Sequence, residues 1–401
     1  MKKLLGFSAV LVTILLLAGG VFLVFRLAQF KAAVNELRSE GYPVSIADLS
    51  RPAKDPEQDA MLLLNRLQSQ LGSFETEMFI DKDALTRPVD DAMIARFNEL
   101  NVAYPEVFPL IERLSQATEV SIDLGDDSQE FLDSRLARWQ RVRSCARVLA
   151  WKSRVLAAQG KPDDSIAANL QTLQISRLFD GQPLILWQLV SLACRNIAVE
   201  AIHDVIVSRP ISGQMCDELN RELERHDSLP GYRTTLVGER SFGIEMITES
   251  GIFAMAHGGI GYLEVMSKEI EDSENEDFET ERVMTSPSLY SKLINGWFAQ
   301  SMSPAIVATR QAISRTRSNI RALRIINALL AQPEAEGKTI TPEYLLEIEV
   351  PQPMTVDTIT GETMKVKHTE SGWLVYSVGT NREDDGGDSD QLKDFVLGGK
   401  H

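Results

Sequence analysis

The feature that most constrains this chain is an uncharged, apolar run at residues 4–25, directly behind Lys2 and Lys3. The run holds 22 residues, and a helix of roughly 20 apolar residues spans a bilayer because each residue adds about 1.5 Å. It therefore predicts a transmembrane anchor at 4–25, preceded by a short flank at 1–3. The membrane is accordingly the first partner that we expect for this chain.

Two other N-terminal signals compete with the anchor. A cleavable signal peptide has a shorter apolar core and an exit of small residues, which Ala18, Gly19 and Gly20 could supply. The apolar run continues past these residues to Phe25, and this favours an uncleaved anchor. The same stretch resembles a lipoprotein box without its cysteine, which excludes lipid attachment there.

The orientation of the anchor follows from its flanks. Lys2 and Lys3 lie on one side of the run and Arg26, Lys31 and Arg38 on the other, so the positive-inside rule discriminates little. A short N-terminal flank usually stays in the cytoplasm. We therefore expect an inner (cytoplasmic) membrane protein with its bulk on the periplasmic or extracytoplasmic side.

Charge and cysteine content exclude several classes of function. The formal net charge is −16, whereas a nucleic-acid binder needs a basic surface to neutralise phosphates. We therefore expect no nucleic-acid partner. Cys145, Cys194 and Cys216 lack the spacing of metal ligands and lie in apolar helical patterns. They are predicted to be buried free thiols, with one disulfide outside the cytoplasm as the alternative.

Behind the anchor, apolar periodicity predicts a mainly α fold, with a juxtamembrane helix and linker at 26–55 and an α-helical domain at 56–335. The first helix should stop at 41–43, where proline follows glycine and tyrosine. Later helices are predicted at about 89–101, 105–117, 128–159, 165–179, 184–207, 211–227, 233–255, 288–300 and 303–331.

Two of these helical segments predict how the body is packed. The hairpin around Gly160 is similar to one tetratricopeptide unit, but an array needs about three copies and one convincing copy occurs. The prediction is therefore a TPR-like helical stack. The 184–207 helix is apolar almost all round, and polar residues such as Gln188 and Arg195 interrupt it. It is predicted to be a central core helix and not a second membrane span.

Two charged segments share one pair of alternative interpretations, and a glycine-rich segment has another pair. Residues 269–281 are strongly acidic, and four arginines of the last long helix share one face: Arg310, Arg317, Arg321 and Arg324. This arginine stripe either docks the acidic segment or an acidic partner, or both surfaces are separately solvated. Residues 251–266 form either a tight connection between helices or a segment that grazes the membrane.

The sequence offers little for catalysis. Neither a nucleophile elbow, nor a zinc-protease motif, nor a P-loop, nor a dinucleotide fingerprint occurs in it. Glu239 and Glu245 flank Arg240 on a predicted helix, which predicts ion pairs rather than an acid/base pair. We therefore expect no enzyme. A membrane-bound hydrolase is an alternative that requires His203 or His226 in a cleft beside a serine or carboxylate.

The C-terminal segment, 336–397, predicts a small β-hairpin with strands at 364–368 and 373–378, followed by an acidic loop. The loop carries oxygen ligands interleaved with glycines, and calcium takes six to eight oxygens in loose geometry. The predicted ligands are Asn381, Asp384, Asp385, Asp388 and Asp390. A solvated acidic tail without bound metal is the alternative.

The stretch from Ile320 to Asp394 resembles the C-terminal half of type II secretion major pseudopilins. That family has a helix, a proline-bearing connector, a turn of the form D-P-x-G-x-P, a hairpin and an acidic calcium loop. The chain has DTITG at 357–361, YSVGTN at 376–381 and DDGG at 384–387. It lacks the proline after the turn aspartate, and Leu11 stands where a pseudopilin carries glutamate. The resemblance implies a calcium-stabilised tail and a secretion or pilus-like apparatus.

The whole chain is similar to a group of planctomycete-type membrane-anchored helical proteins of unassigned function. They combine an N-terminal anchor, a Gly-Tyr-Pro segment (here 41–43), a helical body and an ending of the form YSVG…DDGG. The resemblance implies no chemistry. We therefore expect a single-pass membrane protein whose helical domain is a scaffold or interaction module with a protein partner in the cell envelope.

Overall fold

The computed structural model describes residues 2–78, 88–122, 128–228, 231–273, 296–370, 372–379, 381–387 and 394–397. Within these ranges the chain is mainly helical, with a short antiparallel hairpin near the C-terminus and an apolar helix at the N-terminus. The predicted fold class, mainly α with a small C-terminal β-hairpin, is thereby confirmed.

The helices and strands are numbered along the described chain. The helices are α1 (Lys2–Ser39), α2 (Ala60–Met78), α3 (Asp91–Ala103), α4 (Val107–Ser115), α5 (Ser128–Ala158), α6 (Pro162–Leu178), α7 (Ile185–Ser208), α8 (Gly213–Asp227), α9 (Tyr232–Glu249), α10 (Ile252–Ala254), α11 (Ile260–Asp272), α12 (Gly296–Leu330) and α13 (Pro342–Glu347). A π-helical turn at Met255–Gly259 joins α10 to α11. The strands are β1 (Lys365–Thr369), β2 (Gly372–Ser377) and β3 (Phe395–Leu397).

Helix α1 contains the predicted anchor and continues from it into the body without a break. The segment Leu17–Ser39 is apolar and long enough to cross a membrane, and only 6% of its most apolar window is buried. Further along the same helix, Phe30 is fully packed against the body. The helix ends before Gly41, whose φ of +85° is in the left-handed region, as the predicted stop at 41–43 requires.

Helix α7 also has the length and apolarity of a membrane span, but 67% of its window is buried inside the body. It packs against α5, α6 and α12. A helix that is apolar all round has to be covered on every side. The prediction that this segment is a central core helix is therefore supported by its burial.

Helices α5 and α6 form the predicted hairpin, closed by Gly160 at a φ of +77°. Between them lies a buried polar group in which the Ser153 and Ser165 hydroxyls are 2.7 Å apart and the Asn169 amide donates to Ser153 Oγ at 2.7 Å. These bonds satisfy polar side chains that are costly to bury unpaired. The likeness of this stack to tetratricopeptide repeats stays a prediction.

Buried apolar side chains of the described chain fall into three core clusters. The first packs α2, α3 and α4 against α5 and α7, with Phe74 in edge contact with the Phe97 and Phe108 rings. The second joins α6, α7, α8 and the C-terminal half of α12 to the sheet through Trp373. The third packs α9, α11 and the middle of α12 around Phe30.

The C-terminal sheet has the order β1-β2-β3. Val366 is opposite Val375 in the first antiparallel pair, and Tyr376 is opposite Val396 in the second. The predicted hairpin is confirmed with its ends shifted by one residue, whereas β3 was not predicted from the sequence. Because Trp373 and Val375 belong to the second core cluster, the sheet packs directly on the helical body.

Two segments differ from the sequence prediction. Residues 252–266 are helical, so a tight connection is limited to Gly251, whose φ is +93°. Helix α12 continues through Pro304 as one helix, and the predicted break between 300 and 303 is wrong. Gly258 and Gly259 lie within the helical segment, and Gly259 allows close packing, since a Cβ on it would lie 2.3 Å from the Phe30 ring.

Candidate functional site

The predicted calcium ligands that the structure describes are bonded to each other and to the sheet. The Tyr376 hydroxyl donates to Asp384 Oδ1 at 2.9 Å, and Gly386 N donates to the same oxygen at 3.0 Å. The Asn381 amide donates to Asp385 Oδ2 at 2.7 Å. Burial raises the pKa of the Asp384 carboxyl, but these hydrogen bonds and nearby lysines outweigh it and lower the pKa overall.

A further acidic residue, Asp394, belongs to this loop and was missed by the sequence analysis. Gly387 N donates to its Oδ2 at 2.7 Å, and its Oδ1 has no hydrogen-bond partner among the described residues although Asp394 is 2% exposed. Burial and the charges of Asp385 and Asp384 raise the pKa of this carboxyl. The only sequence signal for it was an isolated acid before the apolar Phe395.

The described residues of the loop are not grouped as a metal-binding site. Within the described ranges, no group of three or more histidine, cysteine, aspartate or glutamate residues is arranged to hold a metal ion. Asp388 and Asp390 lie outside the described residues. Calcium binding by the loop therefore stays a prediction, and Asp394 is the added residue through which it can be tested.

The turn at 357–361 is linked to the end of β2 by one buried carboxylate. Asp357 Oδ1 accepts from the Ser377 hydroxyl at 2.8 Å and from Ile359 N at 2.9 Å, and Oδ2 accepts from Val378 N at 3.2 Å. Asp357 is 2% exposed. The Asp357 carboxyl group thus accepts three hydrogen bonds, and these bring together two of the motifs that carry the pseudopilin resemblance.

The arginine stripe of α12 is mostly buried in ion pairs, so the interpretation of a separately solvated surface is wrong. Arg310 forms a bidentate pair with Glu269, with both N···O distances at 2.6 Å. Arg321 forms a second bidentate pair with Asp227 at 2.7 and 2.8 Å. Glu269 is the first residue of the predicted acidic segment, whereas residues 274–281 lie outside the described ranges.

The other members of the stripe extend the network to α8 and to the C-terminal segment. Arg317 Nη2 lies 3.7 Å from Asp227, and Arg324 Nε donates to Glu224 at 3.3 Å. Arg321 and Arg324 also donate to backbone carbonyls of the segment that precedes the sheet, at 2.6 and 2.5 Å. The stripe therefore joins α8, α12 and the C-terminal segment.

The predicted ion pairs around Arg240 do not form. Glu239 instead accepts from Ile185 N at 2.8 Å, and Glu245 accepts from Ile46 N at 2.5 Å. Arg240 lies over the Tyr42 ring, 4.9 Å from its centroid. Each carboxylate thus satisfies a backbone N–H of another segment, which a sequence pattern within one helix cannot reveal.

His226, Cys145 and Cys194 are buried, whereas the partly exposed His203 lies 3.7 Å from its neighbour Asp204. His226 Nε2 lies 3.2 Å from Glu222 Oε1, but the ring is fully buried, so a substrate cannot reach it. Cys145, Cys194 and Cys216 are all free thiols, and burial raises the pKa of Cys194 to about 12. A thiol that stays protonated is a poor nucleophile.

A cleft of about 420 Å³ lies between α1 and α9. Its floor is apolar, and its rim carries basic residues of α1 opposite acidic residues of α9. The lining includes Phe30, Lys31, Arg38, Ile244, Glu249 and Met255. The uncharged run ends at Phe25, and the cleft begins at Phe30. Phe30 is five positions further along α1, which corresponds to about 7.5 Å.

Comparisons of this chain with protein-family models, with curated proteins and with solved structures found no match. The two resemblances therefore rest on the residues quoted above, and both stay predictions.

Proposed function

We propose that this chain is a single-pass membrane protein whose helical body is a scaffold for protein interaction in the cell envelope. One observation carries the proposal: α1 has an exposed apolar part and, within the same unbroken helix, a part that is built into the core around Phe30. An apolar helix left uncovered by its own protein needs lipid or a partner to cover it. The body is thereby held close to the membrane.

The chemistry of a protein partner follows from charge. The net charge is −16, and described arginines of α12 are engaged by acids within the body. The acidic excess therefore belongs to the rest of the surface, and a partner with a basic surface complements it. Such a complex should lose affinity as salt rises; a partner retained at high salt would indicate an apolar interface instead.

The anchor is tested by alkaline extraction of membranes that contain the full chain. We expect the protein to stay in the membrane fraction. Leu17→Arg with Val21→Arg should release it, because each arginine near the centre of a span costs roughly 2.5–3.5 kcal/mol. Val102→Arg is the matched control on α3 and should change nothing. Extraction of the parent chain with alkali would contradict the anchor.

Orientation is tested separately with reporter fusions after Phe30 and at His401. We propose that the inner membrane holds the anchor with the body outside the cytoplasm, and both fusions should then be active only for an extracytoplasmic reporter. Cytoplasmic activity of both would reverse the orientation and leave the anchor intact.

A component of a secretion or pilus-like apparatus is the second candidate. The bonds from Asp357 to Ser377 and Val378 favour it, because they join the turn to the hairpin end in the segment that resembles pseudopilins. It predicts copurification with such machinery, and isolation as a single species counts against it. It also predicts a higher melting temperature in calcium than in chelator, since a bound ion stabilises the state that binds it.

Calcium binding by the acidic loop is tested with a separate variant. Asp394→Asn should abolish the difference between calcium and chelator, whereas Glu383→Gln, an exposed residue of the same loop, should retain it. Equal melting temperatures for the parent chain would leave the solvated acidic tail as the interpretation.

A further inference from the structure

Helices α9 and α11 form a helical hairpin whose closed end is the turn at 250–254. The Tyr232 hydroxyl, at the start of α9, donates to Glu269 near the end of α11 at 3.3 Å. The Tyr262 hydroxyl donates to the carbonyl of Glu239 at 2.8 Å. Contacts between the start of one helix and the end of the other show that the two run antiparallel.

The closed end of this hairpin points toward the anchor. Ser241 of α9 donates to the carbonyl of Pro43, which follows the end of α1, at 2.8 Å. Closer to the closed end, Thr248 and Glu249 line the cleft with residues of α1 as far back as Phe30. Moving along α9 toward its C-terminus therefore means moving along α1 toward the apolar run.

Beyond the closed end, the chain meets α1 again at the π-helical turn. Gly259 lies directly on the Phe30 ring, with no room for a Cβ. Phe253 precedes Gly259 by six positions of helical chain, and Phe25 precedes Phe30 by five positions, or about 7.5 Å of α-helix. Phe253 is thus able to reach the level at which the uncharged run of α1 ends.

The turn exposes its apolar side chains at this level. Ile252 is 57% exposed and Phe253 is 69% exposed, with the Phe253 ring 4.2 Å from the His257 ring. On α1, Val24 and Phe25 are exposed to a similar degree, 66% and 59%. Both exposed apolar surfaces thus lie near the same level of α1, where one lipid surface can cover the two.

We propose that Ile252 and Phe253 of α10, at the closed end of the hairpin, insert into the interface of the bilayer that α1 crosses. They form a second membrane contact of the body. The inference rests on the proposed membrane anchor. Large apolar side chains near a basic residue, here Lys31 of α1, are typical of segments that lie at the headgroup boundary. The body is then held at two points and cannot rotate freely about α1.

The test places a fluorescent label on single introduced cysteines in the full chain. The variants are Val21→Cys in the anchor, Phe253→Cys in the turn and Val102→Cys on α3, where the native valine is 81% exposed. Each is reconstituted into vesicles of phosphatidylcholine and phosphatidylglycerol with nitroxide-labelled acyl chains. The parent chain gives the background from the native thiols.

We expect lipid quenching at positions 21 and 253 that is several-fold above that at position 102. Quenching at 21 with a water-like signal at 253 overturns the second contact and leaves the anchor intact. Lack of quenching at all three positions overturns the anchor and the inference with it. Equal quenching at 253 and 102 indicates general adsorption and also overturns the inference.

Discussion

At the scale of single residues, Asp227 is a carboxylate that pairs with two arginines of α12. It receives the bidentate pair from Arg321 and a longer contact from Arg317, and all three side chains are mostly buried. Removal of one partner from a buried ion pair leaves the other charge poorly solvated, which costs far more than the loss of an exposed pair.

We therefore expect Arg321→Met to lower the free energy of unfolding by about 3 kcal/mol in detergent-solubilised protein. The matched control is Arg66→Met, which removes a pair with Glu57 in which both side chains are about half exposed. That variant should lose much less stability than Arg321→Met, because solvent screens an exposed pair. Urea unfolding measures both, and equal losses would contradict the structural role of the stripe.

His226 gives the body a pH dependence. Burial lowers the pKa of its imidazole from 6.5 to about 4, outweighing the hydrogen bond to Glu222 that raises it; nearby Arg195 lowers the pKa further. Between these two values the unfolded chain binds a proton that the folded chain does not. The free energy of unfolding must therefore rise with pH across this window.

We expect His226→Gln to flatten the pH dependence of the free energy of unfolding between about pH 4.5 and 6.5. The change removed is roughly 3 kcal/mol at most over this window. Glu222 titrates below this window, because hydrogen bonds from His226 and Arg225 outweigh its burial and lower its pKa. His368→Gln, on the exposed face of β1, should keep the slope of the parent chain. An unchanged slope in His226→Gln would assign the pH dependence to other groups.

Residue identities could be predicted from the sequence better than their partners. The stripe from Arg310 to Arg324 follows from helical spacing alone. Its pairing with Asp227 could not be predicted, because 94 residues separate Arg321 from that carboxylate and spacing within one helix is silent about the helix opposite. The same holds for Glu239, which bonds to Ile185 N instead of a neighbour on its own helix.

At the scale of elements, the contact between α1 and the π-helical turn is the tightest link between anchor and body. Gly259→Ala places a methyl group into the Phe30 ring, and overpacking of this kind costs about 1–3 kcal/mol. We expect this loss together with faster proteolysis of the segment after α1. Protease digestion and thermal unfolding measure the two effects.

Gly72→Ala on α2 is the matched control, because a Cβ there meets nothing within 4 Å. It should be neutral or stabilise by up to about 1 kcal/mol, since alanine is the better helix former. Phe30→Leu combined with Gly259→Ala should recover part of the loss. Equal destabilisation by Gly259→Ala and Gly72→Ala would mean that the loss in Gly259→Ala does not come from the contact with Phe30.

Most elements could be predicted from periodicity, since strong apolar spacing sets helices such as α7 and the alternation in Trp373 to Ser377 sets β2. The errors concern segments that contain glycine or proline. Residues 251–266 were expected to be a tight connection or a membrane-grazing segment, whereas residues 252–266 are helical and Gly259 permits close approach to α1. Strand β3 has three residues, too few for alternation to be recognised without its partner strand.

At the scale of the whole molecule, α12 connects two of the core clusters. Ile306 and Ile313 belong to the cluster around Phe30, and the residues from Ile320 onward belong to the cluster under the sheet. A helix shared by two cores makes the loss of one unfavourable without the other. We expect a single unfolding transition for the described body.

Coincident midpoints of tryptophan fluorescence and far-ultraviolet circular dichroism in urea would support one cooperative unit. Trp373 reports on the sheet, and Trp151 reports on the first cluster, so Trp→Phe variants at these positions separate the two signals. Two midpoints would show that the clusters unfold independently.

The sequence was sufficient for the fold class and for the apolar N-terminal helix, because both depend on local patterns. It was insufficient for the arrangement of the body, because the arginine stripe, the buried Asp357 and the hairpin end near α1 arise from contacts between distant segments. The acidic loop lies between these cases. Its ligand types are visible in the sequence, whereas Asp394 joins it only through the fold.

The unbroken course of α1 has a consequence for encounters on the membrane surface. From Phe25 to Ser39 the helix rises about 21 Å, and the chain has no flexible tether in this interval. Under the proposed anchoring, a partner in the same bilayer meets the body by lateral diffusion at one height and one tilt. Such a geometry raises the effective concentration of partners that present their surface at that height and excludes those that do not.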